Sequence, residues 1–216
     1  MVPLTTGIGF SITRVLRFAY MFTGIVETQG IIRKIAQKGT NKTFWVKSSI
    51  SSKLRPDQSV AHDGVCLTVE EVKGSRHRVT AVAETLGRTN MAEWQVGSTI
   101  NLERCIKVND RLDGHFVQGH VDTVAICIDK KEKDGSCEFS LQFPIKFGQL
   151  IIEKGSVAVN GISLTAFNVS GNRFDVAIIP YTFEHTNMTT LNVGQKVNIE
   201  FDMLGKYISR NLSLSK

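Results

Sequence analysis

A thiol and a hydroxyl occupy the same place in two copies of one short motif. Gly64-Val65-Cys66-Leu67-Thr68 returns 97 positions later as Gly161-Ile162-Ser163-Leu164-Thr165. A thiol ionises more readily than a hydroxyl, so the first copy offers a nucleophile where the second offers a neutral hydrogen-bonding group. The other reading of Cys66 is a strand cysteine packed in a core. Thr68 and Thr165 match, as anchors of one ligand in two pockets would, although paired threonines also satisfy strand hydrogen bonds. Five histidines (His62, His77, His115, His120 and His185) add groups that titrate near neutrality. His115 and His120 bracket Phe116-Val117-Gln118-Gly119, where a proton carrier and a structural histidine are both open readings. His77 lies in a charged hairpin and is expected at the surface.

The rest of the chemical inventory is sparse. No phosphate-binding loop, G-x-G-x-x-G, H-E-x-x-H, nucleophile elbow or metal-ligand cluster is present. Cys66, Cys105, Cys127 and Cys137 form no C-x-x-C pair, and read as reduced thiols of a cytoplasmic protein. The net charge is +6, but lysines such as Lys130, Lys131 and Lys133 alternate with acids. That pattern argues against a nucleic-acid stripe, and no apolar run approaches the ~18 residues of a membrane span.

The elements that must position these groups are themselves duplicated. Ser59–Glu103 aligns with Ser156–Glu200 without a gap, and more than a third of the 45 pairs are identical. Tandem duplication of about half the chain implies two domains, each large enough for its own core. Strand patterns fall at Gly24–Ala36, Thr43–Lys47, Ser59–His62, Cys66–Val72, Arg78–Ala83 and Thr99–Ile106. The second set is Val117–Lys131, Glu138–Phe143, Ser156–Asn160, Thr165–Val169, Phe174–Ile179 and Lys196–Phe201. Gly74-Ser75 and Gly171-Asn172 mark matching hairpins. Six short antiparallel strands in each copy predict two small closed barrels, so the chain is mainly β. Pro144–Ile152 predicts a short helix, with Ser51–Arg55 its weaker counterpart.

The expected boundaries are 1–20 for an N-terminal extension outside the fold, 21–113 and 114–201 for the barrels, and 202–216 for a C-terminal helix. Residues 1–20 hold Arg14 and Arg17 and no acid, and a targeting segment is the other reading of them. Lys107–Gly114 reads as the link between barrels. In the last segment Leu204, Ile208 and Leu212 share a helical face behind Asp202 as N-cap. So short a helix must dock, on its own barrel or, as favoured here, on the same helix of other subunits.

Several motifs together resemble the riboflavin synthases, a duplicated lumazine-binding family. They are Met21-Phe22-Thr23-Gly24-Ile25-Val26-Glu27, the two motifs around Cys66 and Ser163, and Glu84-Thr85-Leu86-Gly87-Arg88-Thr89-Asn90. Gly114-His115-Phe116-Val117-Gln118-Gly119-His120-Val121-Asp122 and Ile179-Pro180-Tyr181-Thr182-Phe183-Glu184-His185-Thr186-Asn187 complete the set. The resemblance runs in order from Met21 to about Leu212. It implies two six-stranded Greek-key barrels and a C-terminal helix that assembles a homotrimer. It also implies a dismutation without cofactor or metal, in which two molecules of 6,7-dimethyl-8-ribityllumazine exchange a four-carbon unit.

Carried onto this chain, the resemblance gives a first pocket of Gly24, Ile25 and Val26, Cys66, Leu67 and Thr68, and Thr80, Ala81, Val82, Ala83, Glu84 and Thr85. The second would use Gly119, His120 and Val121, Lys154, Ser163, Leu164 and Thr165, and Ala177, Ile178, Ile179, Pro180, Tyr181 and Thr182. Backbone groups and small hydroxyls suit a flat heterocycle and a ribityl chain. His120 is the candidate proton carrier, Cys66 and Ser163 the diverged pair, and Phe22 a residue that shields a ring. Asp202 would polarise a group across a subunit boundary, or simply cap its helix; Lys154 meets a polar substrate group or only solvent. Asp63 departs from the pattern, standing where Asn160 stands in the second copy. Both suit the turn, so the change brings charge rather than misfolding. A lumazine- or flavin-binding antenna protein, binding without turnover, is the rival reading, and a purely structural double barrel leaves the pocket motifs unexplained.

Overall fold

Alternation of inward and outward side chains accounts for most of the strands. In Arg76–Ala81, His77, Val79 and Ala81 are buried while Arg76, Arg78 and Thr80 face outward, the period of two expected of a half-buried strand. The structure, a computed structural model, describes residues 21–214; the extension expected over residues 1–20 lies outside the described residues.

The first unit contains β1 (Thr28–Lys38), β2 (Asn41–Lys47), β3 (Ser59–His62), β4 (Val65–Thr68), β5 (Glu71–Lys73), β6 (Arg76–Ala81) and β7 (Thr99–Arg104). Their order across the sheet is β4-β3-β7-β1-β2-β6-β5, with antiparallel pairing in each ladder. The expected single strand Cys66–Val72 is therefore two strands, and they form the two edges of the sheet. The chain turns a corner between them: Val69 N donates to Gln58 O at 2.8 Å and Glu70 N to Arg78 O at 2.9 Å. The second unit contains β8 (Thr123–Lys133), β9 (Ser136–Gln142), β10 (Ser156–Val159), β11 (Ile162–Ser170), β12 (Arg173–Ile178) and β13 (Lys196–Phe201). Here β11 stays whole and pairs with both β10 and β12, closing a six-stranded barrel. Its corner falls between Thr165, paired with Ser156, and Ala166, paired with Val176, and an irregularity with Asn168 at φ 49° follows between Phe167 and Ser170.

Short helices that carry no periodic signal interrupt both units. These are α1 (Ala83–Arg88) and α2 (Pro180–His185), each followed by a 3-10 turn, Asn90–Glu93 and Asn187–Thr190. Thr89 and Thr186 cap those turns by accepting from Met91 N and Met188 N. The helix expected at Pro144–Ile152 is a 3-10 helix over Ile145–Leu150, and its counterpart covers Ser51–Lys53. The C-terminal helix α3 (Met203–Leu214) begins where Leu204 N donates to Asp202 Oδ1 at 2.9 Å. Lys206 pairs with Asp122 at 2.7 Å and ties α3 to the second unit. Leu204, Ile208 and Leu212 remain 60–65% exposed, so the apolar stripe is uncovered in the single chain.

The cores differ. The second is filled by aromatic side chains, with Phe143 and Phe201 in edge contact at 5.3 Å. The first buries two histidines where the second has Val159 and Phe174. Ser51 Oγ donates to His77 Nδ1 at 2.8 Å, His77 Nε2 meets His62 Nε2 at 2.9 Å, and His62 Nδ1 donates to Val60 O at 2.9 Å. With Val60 O as acceptor, neutral rings satisfy every bond in this chain, His62 in its Nδ1–H form and His77 in its Nε2–H form. Burial holds His77 down at about 4 and His62 well below its ordinary value. The surface position expected for His77 is thus wrong. Its parity with Val79 and Ala81 decides its face, and the charged neighbours Arg76 and Arg78 lie on the other.

The units meet about a pseudo-two-fold axis. Gly64 and Gly161 sit back to back; a Cβ on Gly64 would come within 2.8 Å of Gly161 N, so neither position has room for a side chain. Phe22 and Val117 form a two-bond bridge at 2.7 and 3.1 Å. Phe22, Ala61, Val117 and Ala158 bury one another there.

Candidate functional site

The segments preceding each barrel exchange places. Gly24 O accepts Ser163 N from the second unit, and Gly119 O accepts Cys66 N from the first, both at 2.8 Å. Both glycines have φ near +77°, and a Cβ on either would fall within 2.7 Å of the facing side chain. Val26 packs on the second core and Val121 on the first. Residues 24–26 therefore face Ser163, and residues 119–121 face Cys66. This corrects the grouping expected from the sequence, which placed each segment with its own barrel's motif.

Two buried carboxylates hold the exchanged segments. Glu103, at the end of β7, accepts Thr23 N and Thr23 Oγ1 at 2.7 Å and Gly24 N at 3.0 Å. Glu200, its repeat equivalent on β13, accepts Gln118 N at 2.7 Å and His120 N at 2.9 Å. Burial pushes Glu103 up to about 7 and raises Glu200, while the amide donors oppose the shift. The sequence offers one signal for this pair, identity at matching repeat positions, which by itself does not distinguish positioning from packing.

At the Ser163 end, Ser163 Oγ lies 2.7 Å from His115 Nδ1. His115 N donates to Thr23 O at 3.1 Å, and Gly114 beside it leaves no space for a side chain against that same carbonyl. Burial lowers the proton affinity of His115, and the carboxylate of Asp202 partly restores it. A hydroxyl from β11 thus meets an imidazole from the segment after the linker, and the charge of Asp202, just before α3, acts on that imidazole. His115 was open between two readings in the sequence; its contact with Ser163 spans 48 residues and has no local signature.

At the Cys66 end the thiol is not bonded to an imidazole among the described residues. Burial pushes Cys66 above its ordinary value and the Glu200 carboxylate pushes it further. The ready ionisation expected for Cys66 is therefore opposed by its surroundings. His120 presents an exposed side chain next to this end, with its amide fixed by Glu200. Phe22 is fully buried with Gly119 against its ring, so it packs the seam and does not present a face to a ligand in this chain.

The remaining candidates divide between rim and core. Thr68, Val82, Ala83, Glu84, Thr165, Ala177, Ile179, Pro180 and Tyr181 are exposed, whereas Ala81 and Ile178 point into the cores. Leu67 is buried, and Thr80, Thr85, Leu164 and Thr182 are half-buried. Thr80 bonds Thr43 at 2.9 Å, and Lys154 extends its ammonium over the Phe167 ring at 5.4 Å. Ile25 is exposed on its strap. Two cavities of about 800 and 750 Å³ touch parts of these sites, one along β3 and β7 lined by Thr23, Ile25 and Glu103, and one between α3 and the second barrel lined by Asp202. Neither takes in Cys66, His120 or Ser163. Among the described residues no helix is long and apolar enough to cross a membrane.

The lumazine binding domain family matches the chain twice, over residues 23–105 and 118–202. The riboflavin synthase of Photobacterium phosphoreum is 37% identical over 198 residues, 91% of each chain. That of Bacillus subtilis is 36% identical over 193 residues, 89% of this chain and 90% of the relative. The Saccharomyces cerevisiae enzyme is 35% identical over 208 residues, 90% of this chain and 87% of the relative. Among solved structures, LumP complexed with riboflavin superposes with a TM-score of 0.78, and LumP complexed with 6,7-dimethyl-8-(1'-D-ribityl) lumazine with 0.76. Both are 22% identical and cover 83% of this chain and 98% of the neighbour, a likeness of fold. With both repeats matched and about nine-tenths of the chain aligned to these enzymes, the chain belongs to the riboflavin synthase family, one lumazine-binding domain to each unit.

Proposed function

We propose that this chain converts two molecules of 6,7-dimethyl-8-ribityllumazine into riboflavin and 5-amino-6-ribitylaminouracil. The observation that carries the reading is the exchange of straps, which builds two related half-sites with different chemistry at Cys66 and Ser163. A dismutation of two identical molecules needs that combination: like shapes to bind both, unlike groups to make one donor and one acceptor. The atoms of two substrates equal those of the two products, so no oxidant or other co-reactant is consumed.

In this reading the Ser163–His115 pair handles protons, with Asp202 stabilising the imidazolium as it forms. Holding both rings together removes much of the entropic barrier. Cys66 acts as a protonated thiol that positions its ring, and His120 serves the exposed side of the same half-site. Glu103 and Glu200 act through the backbone they hold. The half-sites lie open on the single chain, and α3 carries an uncovered apolar stripe; both support a homotrimer in which neighbouring subunits close the sites. The four free cysteines support a cytoplasmic location.

Purified protein incubated with 6,7-dimethyl-8-ribityllumazine tests the reading. Riboflavin and the aminouracil should appear in equal amounts with no added cofactor. A bound fluorophore without riboflavin would instead mark a binding protein.

A further inference from the structure

The seam between the units is closed by a cluster of side chains that the repeat generates in pairs. Asp63 pairs with Asn160, Asn101 with Asn198, and Asn90 with Asn187. Most of its hydrogen bonds obey the pseudo-symmetry. Asn101 N donates to Asp63 Oδ1 at 2.7 Å as Asn198 N donates to Asn160 Oδ1 at 2.8 Å. Asn198 Nδ2 reaches Asp63 O at 2.9 Å as Asn101 Nδ2 reaches Asn160 O at 3.0 Å. Asn90 N donates to Asn198 Oδ1 as Asn187 N donates to Asn101 Oδ1, both at 2.8 Å.

The symmetry fails around Asn90. Asn187 Oδ1 accepts Asn101 Nδ2 at 2.9 Å and Asn160 Nδ2 at 3.4 Å, and Asn187 Nδ2 donates to Asp63 Oδ1 at 2.9 Å; Asn90 makes none of the equivalent side-chain bonds, and Asp63 has no amide to stand in for Asn160 Nδ2. Asn90 Oδ1 is the one buried side-chain oxygen or nitrogen without a partner among the described residues. Its amide is correctly oriented, because Nδ2 faces the carbonyl of Lys196 at 3.3 Å and a flip would set two oxygens together. An orphaned buried acceptor of this kind keeps the full cost of its desolvation and calls for a donor.

We propose that Asp63 is held in the folded protein as a neutral carboxylic acid, and that its proton is donated to Asn90 Oδ1, making the seam between the two half-sites a proton-binding site. Asp63 Oδ1 already accepts Asn101 N at 2.7 Å and Asn187 Nδ2 at 2.9 Å, which leaves Oδ2 to carry the proton. Asp63 is 2% exposed, and the groups meeting it are the neutral amides of Asn101, Asn187 and Asn198. Titratable groups on the adjoining strands are engaged elsewhere: His62 with Val60 and His77, Glu103 with Thr23 and Gly24, and Glu200 with Gln118 and His120. Lys196 on β13 pairs with Glu93. Among the described residues no cation is bonded to Asp63, and burial lifts its carboxyl to about 8 against the pull of the Asn101 and Asn187 bonds.

The sign of the linkage follows. The folded state holds a proton that the unfolded chain releases near the ordinary value of 3.8, so this contribution to stability falls as pH rises, and levels off above about 8. Asp63→Asn copies the second repeat and supplies an amide donor at all pH values. Chemical denaturation of wild type and D63N from pH 5 to 9 should show the variant gaining on wild type by up to about tenfold in the unfolding constant per pH unit, then a plateau. A difference that is the same at every pH would mean Asp63 is ionised in both states and would overturn the proposal. Infrared spectroscopy of the native protein gives a second reading that does not depend on the variant's stability. Aspartate-labelled wild type at pH 6 should retain a protonated-carboxyl band that fades through about pH 8; its absence at pH 6 would equally refute the proposal.

Discussion

At the Ser163 end of the seam a hydroxyl meets a neutral imidazole, with a carboxylate beyond it. At the Cys66 end a thiol of the same backbone position lies near a buried carboxylate and bonds no imidazole. The scaffold under both is the same: a strap with a left-handed glycine, a strand amide that holds it, and a glutamate that accepts its backbone N–H groups. Duplication thus preserved what positions a ligand and let the chemically active side chains diverge. The cores diverged as well, a bonded histidine pair in the first barrel against a phenylalanine cluster in the second.

The broadest way to break this comparison is to ask whether two half-sites of one chain suffice. Truncation after Asp202 removes the Leu204, Ile208 and Leu212 stripe and should give a folded monomer with almost no activity, read by light scattering beside turnover. A monomer as active as the full chain would mean that no neighbouring subunit is needed.

Next in size are the two ends themselves. Ser163→Ala and His115→Gln should each lower kcat by about 10²–10⁴-fold, the range expected for losing a proton-transfer group, with KM little changed. The double variant should cost scarcely more than either single one, because the pair acts as a unit. Additive losses would separate the two residues.

The cores give a stability contrast. His77→Phe alone leaves His62 Nε2 without a donor and should cost about 1–3 kcal/mol. Combining it with His62→Val copies the second barrel and should recover most of that loss. The histidine pair also sets a pH dependence. Burial depresses both values, that of His77 from 6.5 to about 4, so protonation favours the unfolded chain. Their contribution to stability is intact above 6.5 and is lost as pH falls toward 4; thermal melts of the double variant should lack that acid limb.

The smallest effect is expected at Cys66. A thiol kept protonated by its surroundings is replaced by a hydroxyl with little change in bonding, so Cys66→Ser should lower turnover by less than about tenfold. A loss as large as that of Ser163→Ala would show that the thiolate takes part, and would reverse the assignment of the two ends.

Much of this arrangement was legible in the order of residues. The repeat gave two units, the alternation gave the strands, and Gly74-Ser75 and Gly171-Asn172 gave the hairpins, because each depends on neighbours within a few positions. Burial of His77 was also present in the pattern, in its parity with Val79 and Ala81, but two flanking arginines obscured it. The short helices α1 and α2 were not legible, since six residues hold too little periodicity to register.

What the sequence determined by itself was the set of local matters: strand faces, left-handed turns at Asp63-Gly64 and Asn160-Gly161, and the repetition that makes two pockets from one design. Only the tertiary structure decided which strap lies over which motif, that His115 reaches Ser163, and that Asn90 Oδ1 is buried with no amide donor. Those contacts join residues tens of positions apart, across a seam whose geometry depends on how two complete units dock. Local backbone preference and side-chain period carry no information about that docking, whereas burial and hydrogen-bond satisfaction at the seam do.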